Sequence, residues 1–171
     1  MKKSEPTHFR NYLIAAVLTV FSAMVVVVLQ RQVLGFFQFQ PCRVKQLSDH
    51  QKVEFRLRDK TYIFEVVNSP ESLAQGLSGR PEIGSDGMLF IFTQTGVPSF
   101  WMKEMLFDLD LVWLKDFQVQ EITPNVPKPA IGQERLPYYV PSQPVNMVLE
   151  LSAGKAQELR LEVGDRITVG R

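Results

Sequence analysis

The chain has one cysteine, Cys42, and two histidines, His8 and His50, in 171 residues. A single cysteine excludes an intramolecular disulfide and any cysteine-cluster metal site, leaving Cys42 to stay free or to pair between two chains. With so little histidine, neither a Ser-His-Asp or Cys-His site nor a histidine-based metal centre is expected, and no cofactor is called for. Excess charge is missing too. From Val33 onward there are 15 basic and 17 acidic residues, with no basic stripe and no glycine-rich phosphate loop, so nucleic acid is not an expected partner. No internal repeat or low-complexity tract interrupts the chain.

What is present begins with an uncharged run, Asn11 to Leu29, NYLIAAVLTVFSAMVVVVL. As a helix it would span roughly 28 Å at about 1.5 Å per residue, close to the hydrocarbon thickness of a bilayer. Lys2, Lys3 and Arg10 precede it, which predicts a cytoplasmic N-terminus and a domain outside the membrane, at the cell surface or in the periplasm. A cleaved signal peptide would have a shorter apolar core ending in a small-x-small site. This run is longer and ends Val-Val-Val-Val-Leu-Gln-Arg, which favours an uncleaved anchor. The organisation read from the sequence is a cytoplasmic tail over 1–10, a transmembrane anchor over 11–30, a linker over 31–52 and one β-rich domain over 53–171. Phe36, Phe37 and Phe39 give the linker an aromatic patch suited either to lipid headgroups or to packing on the domain.

Within the domain, Val53–Arg58 alternates, Asp59-Lys60 reads as a turn and Tyr62–Val67 returns as the second strand of a hairpin. Ser69-Pro70-Glu71 is a helix-start signal, with Ser69 as cap and proline in the first helical position. Met88–Phe92 is apolar on both parities, as in a strand covered on both faces. The next strand, Asp108–Leu114, places Asp110 on the same face as Val112 and Leu114, where a carboxylate needs hydrogen bonds, a counter-ion or a chemical task. Asp116 turns the chain into the alternating Phe117–Ile122. Residues 124–144 hold prolines 124, 127, 129, 137, 141 and 144, so a long loop or lid is expected there rather than helix or central strand. Asn146–Leu151 and Arg166–Val169 read as the closing strands. The expected fold class is therefore α+β and mainly antiparallel, a bent sheet or small barrel with short helices near 70–78 and 153–160, in addition to the N-terminal transmembrane helix.

Six ordered motifs carry a resemblance: Gly76-Leu-Ser-Gly-Arg80, Gly87–Phe92, Phe100-Trp-Met-Lys103, Leu109-Asp-Leu111, Val148–Gly154 and Gly164-Asp165. On these, residues 53 to 169 resemble the family called domain of unknown function 192. The resemblance implies a small, mainly β domain with short helices and, in many members, an N-terminal export signal or anchor; it implies no settled activity. The chain departs from the family pattern at Glu104-Met105, where Asn-Thr is common, and at Asp108, where proline is common.

Arg80, Trp101, Lys103, Asp110 and Glu150 are the candidate site residues, each a polar or amphipathic side chain among apolar neighbours and each in or beside one of those motifs. They are expected to converge. Asp110 and Glu150 could form structural ion pairs with Arg80 and Lys103. Alternatively, they could act together as acid and base or clasp a cation. Trp101, Trp113, Tyr138 and Tyr139 could be core residues or line a sugar or peptide groove. Two function classes follow: a non-catalytic binding or accessory module of the cell envelope, and a carboxylate-dependent enzyme acting on envelope glycans or peptides. The first is favoured because no complete catalytic constellation is visible.

Overall fold

The computed structural model describes residues 47–170. The tail, the anchor expected over Asn11 to Leu29, the aromatic patch and Cys42 all lie outside the described residues. Among the described residues no helix is long and apolar enough to cross a membrane.

Seven strands and two short helices follow in the order β1 (Lys52–Leu57), β2 (Lys60–Val67), α1 (Pro70–Gln75), β3 (Gly87–Gly96), β4 (Leu109–Lys115), β5 (Gln118–Val126), β6 (Val145–Ser152), α2 (Lys155–Glu158) and β7 (Ile167–Val169). They form one sheet ordered β5-β4-β6-β3-β2-β1-β7. Five of its pairings are antiparallel. The sixth, between β2 and β3, is parallel, because the chain passes through α1 before re-entering the sheet. The sheet curls into a half-barrel whose edge strands touch along a short seam. There Val119 donates to the Asp165 carbonyl at 2.9 Å, Gly164 to the Val119 carbonyl at 2.8 Å and Ile167 to the Phe117 carbonyl at 2.9 Å.

Strand alternation sorts the apolar residues into two cores. One face of the sheet buries Phe55, Phe64, Leu89, Val112, Leu149 and Leu151, closed by Phe117, Ala156 and Leu161. The other buries Val67, Phe90, Leu111, Trp113 and Val148 under Leu77, Met102 and Met105, which come from the segments after α1 and before β4. Because β3 sits between these layers, both parities of Met88–Ile91 are buried. At Gly87 the β6 backbone approaches so closely that a Cβ would lie 2.9 Å from the Glu150 carbonyl oxygen and 2.8 Å from Leu151 Cδ2.

Local boundaries follow from capping and turn chemistry. Ser69 caps α1 in a reciprocal capping box with Ser72, and Pro70 is its first residue. The helix ends at Gln75, earlier than the sequence suggests, because Gly76 adopts a φ of 50°. The first hairpin turns at Arg58-Asp59 rather than Asp59-Lys60: Leu57 pairs directly with Lys60, and Arg58 takes a φ of 55°. The second hairpin turns through Asp116 and Phe117, with φ values of 50° and 65°. Phe117 tolerates this left-handed geometry because its ring is buried, 6.1 Å from that of Phe55.

Two stretches differ from the sequence reading. Residues 47–52, assigned above to the linker, are built into the domain: the Leu47 carbonyl accepts from the Asn68 side chain, His50 N–H donates to the Val66 carbonyl, and β1 begins at Lys52. And β5 continues through Pro124 to Val126. The proline is tolerated because the register slips between Leu111 and Leu109, so Thr123 to Val126 bulge along the outer side of β4, where no ladder bond from residue 124 is required. Beyond Val126, residues 127–144 are an irregular strap, as expected, tied to the domain by paired backbone bonds between Tyr139 and Phe100 of 2.8 and 2.9 Å.

Candidate functional site

Glu150 lies in the middle of β6, opposite Met88 of β3 and Leu111 of β4, and so on the second face of the sheet. Its residue exposure is 6%, and its Oε2 has no hydrogen-bond partner among the described residues. Burial pushes the carboxyl up to about 8, against the opposing pull of the Arg80 charge. Glu150 lines a pocket of about 280 Å³ walled by Leu77, Phe90, Phe100 and Met105, and it is the one ionisable residue among those lining it. The pocket exists because two loops stand over the sheet and hold each other. The Ser78 hydroxyl donates to the Lys103 carbonyl, and the Gly79 N–H to the Glu104 carbonyl, both at 2.9 Å.

Trp101 also lines this pocket and is 47% exposed. Its indole stacks on Tyr138 of the strap, ring centroids 5.8 Å apart and planes 12° from parallel, while the Lys103 ammonium lies 5.6 Å from its ring centroid. Among the described residues the one ion-pair partner of Lys103 is exposed Glu104, at 3.8 Å. Trp101, Lys103, Leu136 and Tyr138 line a second, wider concavity of about 620 Å³ running along the strap. Trp101 therefore lines both the smaller pocket and the wider groove.

Arg80 approaches the same face from the loop after α1. Its guanidinium is held by Glu65 through two bonds of 2.7 and 2.9 Å. That fork is the main reason Glu65 is lowered to about 2, helped by the 2.9 Å bond from His50 Nδ1 and opposed by burial. Arg80 is raised by the same fork. Glu65 sits beside Met88, which sits beside Glu150, so the two acids lie two strands apart with Arg80 exerting its charge on both. Asp49 completes the edge of this region as an acceptor for the N–H groups of Asn68 and Ser69 and for the Ser72 hydroxyl. Burial alone would raise its carboxyl; those donors, led by Ser72, hold it well below the usual range.

Asp110 does not join the group. It projects from the opposite face of the sheet, fully buried, and both oxygens accept backbone N–H groups: Oδ1 from Asn125 and Oδ2 from Ala156, each at 2.8 Å. The first bond pins the β5 bulge. The second gives α2 a cap that its own N-cap residue, Gly154, cannot supply. Neither Arg80 nor Lys103 contacts it, so the ion pairs envisaged for Asp110 are replaced by hydrogen bonds to the backbone. Of the five candidates, the structure gathers Glu150 and Trp101 around one pocket, with Arg80 and Lys103 at its margins. Among the described residues no three His, Cys, Asp or Glu side chains come together as a metal site.

The sequence profile of the family described as DUF192, Uncharacterized ACR, matches residues 51–169. The chain belongs to the DUF192 family. Two crystal structures resemble this DUF192 domain. A candidate transcription regulator from Sinorhizobium meliloti 1021 shares 29% identity at a TM-score of 0.61, covering 72% of this chain and 97% of its own. A protein of unknown function from Novosphingobium aromaticivorans DSM 12444 shares 25% identity at a TM-score of 0.57, covering 68% of this chain and 82% of its own. No curated protein matches the chain.

The DUF192 motifs largely coincide with the pocket. Gly76, Leu77 and Ser78 of the first motif form one wall, Phe100 and Trp101 the other, Gly87–Phe92 contributes Phe90 and Phe92, and Val148–Gly154 delivers Glu150. Both departures from the family pattern have local explanations. Glu104 sits at a φ of 59°, where asparagine is better tolerated, and Met105 fills apolar space beside the pocket. Asp108 uses Oδ1 to accept the Lys128 N–H at 2.9 Å, holding the start of the strap. Glu65, His50 and Asp49 were absent from the candidates drawn from sequence. The signal for Glu65 was available: it shares its parity with Ile63 and Val67, the same argument that singles out Asp110.

Proposed function

We propose that this DUF192 domain is a non-catalytic binding module of the cell envelope, held outside the membrane by residues 11–29, that receives one side group of its ligand in the Glu150 pocket. The observation that carries this reading is that Glu150, whose Oε2 is buried without a partner among the described residues, lines a pocket it shares with an exposed tryptophan. A buried polar atom without a partner costs on the order of 1–3 kcal/mol, and a ligand that supplies the partner recovers it. The body of the ligand lies along Trp101 and Tyr138, two flat surfaces suited to stacking.

Hydrolytic chemistry through Asp110 and Glu150 has little support. The two carboxyls occupy opposite faces of the sheet, and Asp110 has both oxygens engaged. The proposed location rests on Lys2, Lys3 and Arg10 preceding the apolar run.

Two measurements test the reading. Thermal-shift screening of the full chain in detergent against soluble peptides and glycans should find a stabilising ligand whose effect disappears in Trp101→Ala and Glu150→Gln. Retention of the shift in both variants would move the site elsewhere. A reporter fused after Arg171 should be active only outside the cytoplasm; activity inside would reverse the topology.

A further inference from the structure

We infer that the group entering the pocket is a primary ammonium on an alkyl stem, such as a lysine-like side chain, which pairs with the Glu150 carboxylate. This rests on the binding reading above and adds the chemistry of the ligand.

The residues lining the pocket include one carboxyl, that of Glu150, and no cation. Arg80, whose charge acts on Glu150 from outside the lining, is committed to Glu65 by two short bonds, and among the described residues Oε2 has no partner. The walls suit an alkyl stem ending in a cation. Phe90 and Phe100, 5.1 Å apart and close to edge-on, provide aromatic surface, while Leu77 and Met105 add apolar and polarisable contacts. Size points the same way. At about 280 Å³ the space falls just below the range for small-molecule sites, roughly 300–1,000 Å³, and suits one side chain rather than a sugar chain. A metal ion is a poor occupant, since no second carboxylate or imidazole lines the pocket.

Binding then exchanges one charge for another. Glu150 carries its proton in the empty pocket at neutral pH because burial favours the neutral form, and it releases that proton to solvent when the ammonium arrives. The charged groups around the pocket do not replace this couple. Arg80 is paired with Glu65 and opposes the shift, Lys103 and Glu104 face each other at the surface, the α1 side chains lining the pocket are uncharged, and the strand neighbours Met88 and Leu111 are apolar.

The test is an NMR titration of the full chain in micelles, following the Trp101 indole N–H, with N-acetyl-lysine amide and its uncharged counterpart N-acetyl-norleucine amide. The lysine compound should bind about tenfold or more tightly than the norleucine compound, with Kd falling by about tenfold per pH unit from pH 6 toward 8. Glu150→Gln should lose both the preference and the pH dependence; the pH dependence in the unaltered protein serves as readout should that variant fail to fold. Equal or tighter norleucine binding, or lysine binding that ignores pH, overturns the ammonium assignment and leaves the pocket as a binding site. No binding of either compound, together with no hit in the thermal-shift screen, overturns both readings.

Discussion

Asp110 and Glu150 are both withdrawn from water, yet they answer the same physical problem differently. Asp110 receives a backbone donor on each oxygen, so replacing it with alanine strands two buried N–H groups at about 1–3 kcal/mol apiece. Chemical denaturation of Asp110→Ala should show a loss of roughly 2–6 kcal/mol, and an unchanged midpoint would contradict the capping role. Among the described residues Glu150 receives no donor on Oε2, and burial raises it to about 8 from an ordinary 4.5. Its folded form therefore holds a proton that the unfolded chain gives up above pH 4.5. Stability is fully retained below that value and declines as pH climbs toward 8. Glu150→Gln should match the unaltered protein near pH 4 and exceed it near pH 8, by on the order of 4 kcal/mol, in thermal melts across that range. Parallel curves would refute the assignment. The parity of Asp110 was readable because strand alternation is local in the sequence. Its partners were not, because Asn125 and Ala156 arrive from a bulge and a helix end that only tertiary pairing brings within reach.

Turns and caps decide where the elements stop, and here local chemistry was a good guide wherever it was complete. Ser69-Pro70-Glu71 announced α1 with its cap in place, since every participating group lies within four residues. The β5 extension past Pro124 was hidden, because proline rules out a central strand and only the sheet order reveals β5 as an outer one. Residues 47–52 carried no period, and their attachment depends on Asp49 and His50 finding donors and acceptors 15 or more residues away. The loop over the pocket retains a local conflict: Glu104 holds a left-handed backbone that its side chain disfavours, so that its carbonyl can meet the Gly79 N–H. Glu104→Asn should relieve it and raise the unfolding free energy by roughly 0.5–1 kcal/mol, read as a higher melting temperature. A lower one would mean that the glutamate makes a compensating contact.

At the scale of the whole domain, seven strands and a bent, mainly antiparallel sheet were legible from alternation and turn spacing, whereas the strand order was not. The parallel β2–β3 contact and the insertion of β6 between β3 and β4 join segments far apart in sequence, and periodicity carries no information about such partners. The seam between β5 and β7 should behave as part of the global structure. In hydrogen exchange, the Val119 and Ile167 amides are expected to open only with complete unfolding, and fast exchange at both would mark the seam as loose. That seam also sets an order of events in time. β1 gains its outer neighbour only from β7, the last of the seven strands in chain order, and the same segment touches the start of β5. Until residues 164–169 have been synthesised, both sheet edges expose unpaired N–H and C=O groups that can template pairing with another chain. The domain must therefore finish folding after synthesis of these residues, through long-range contacts of the kind that confine folding to roughly milliseconds to seconds, and nascent chains stalled before residue 164 should be the aggregation-prone species.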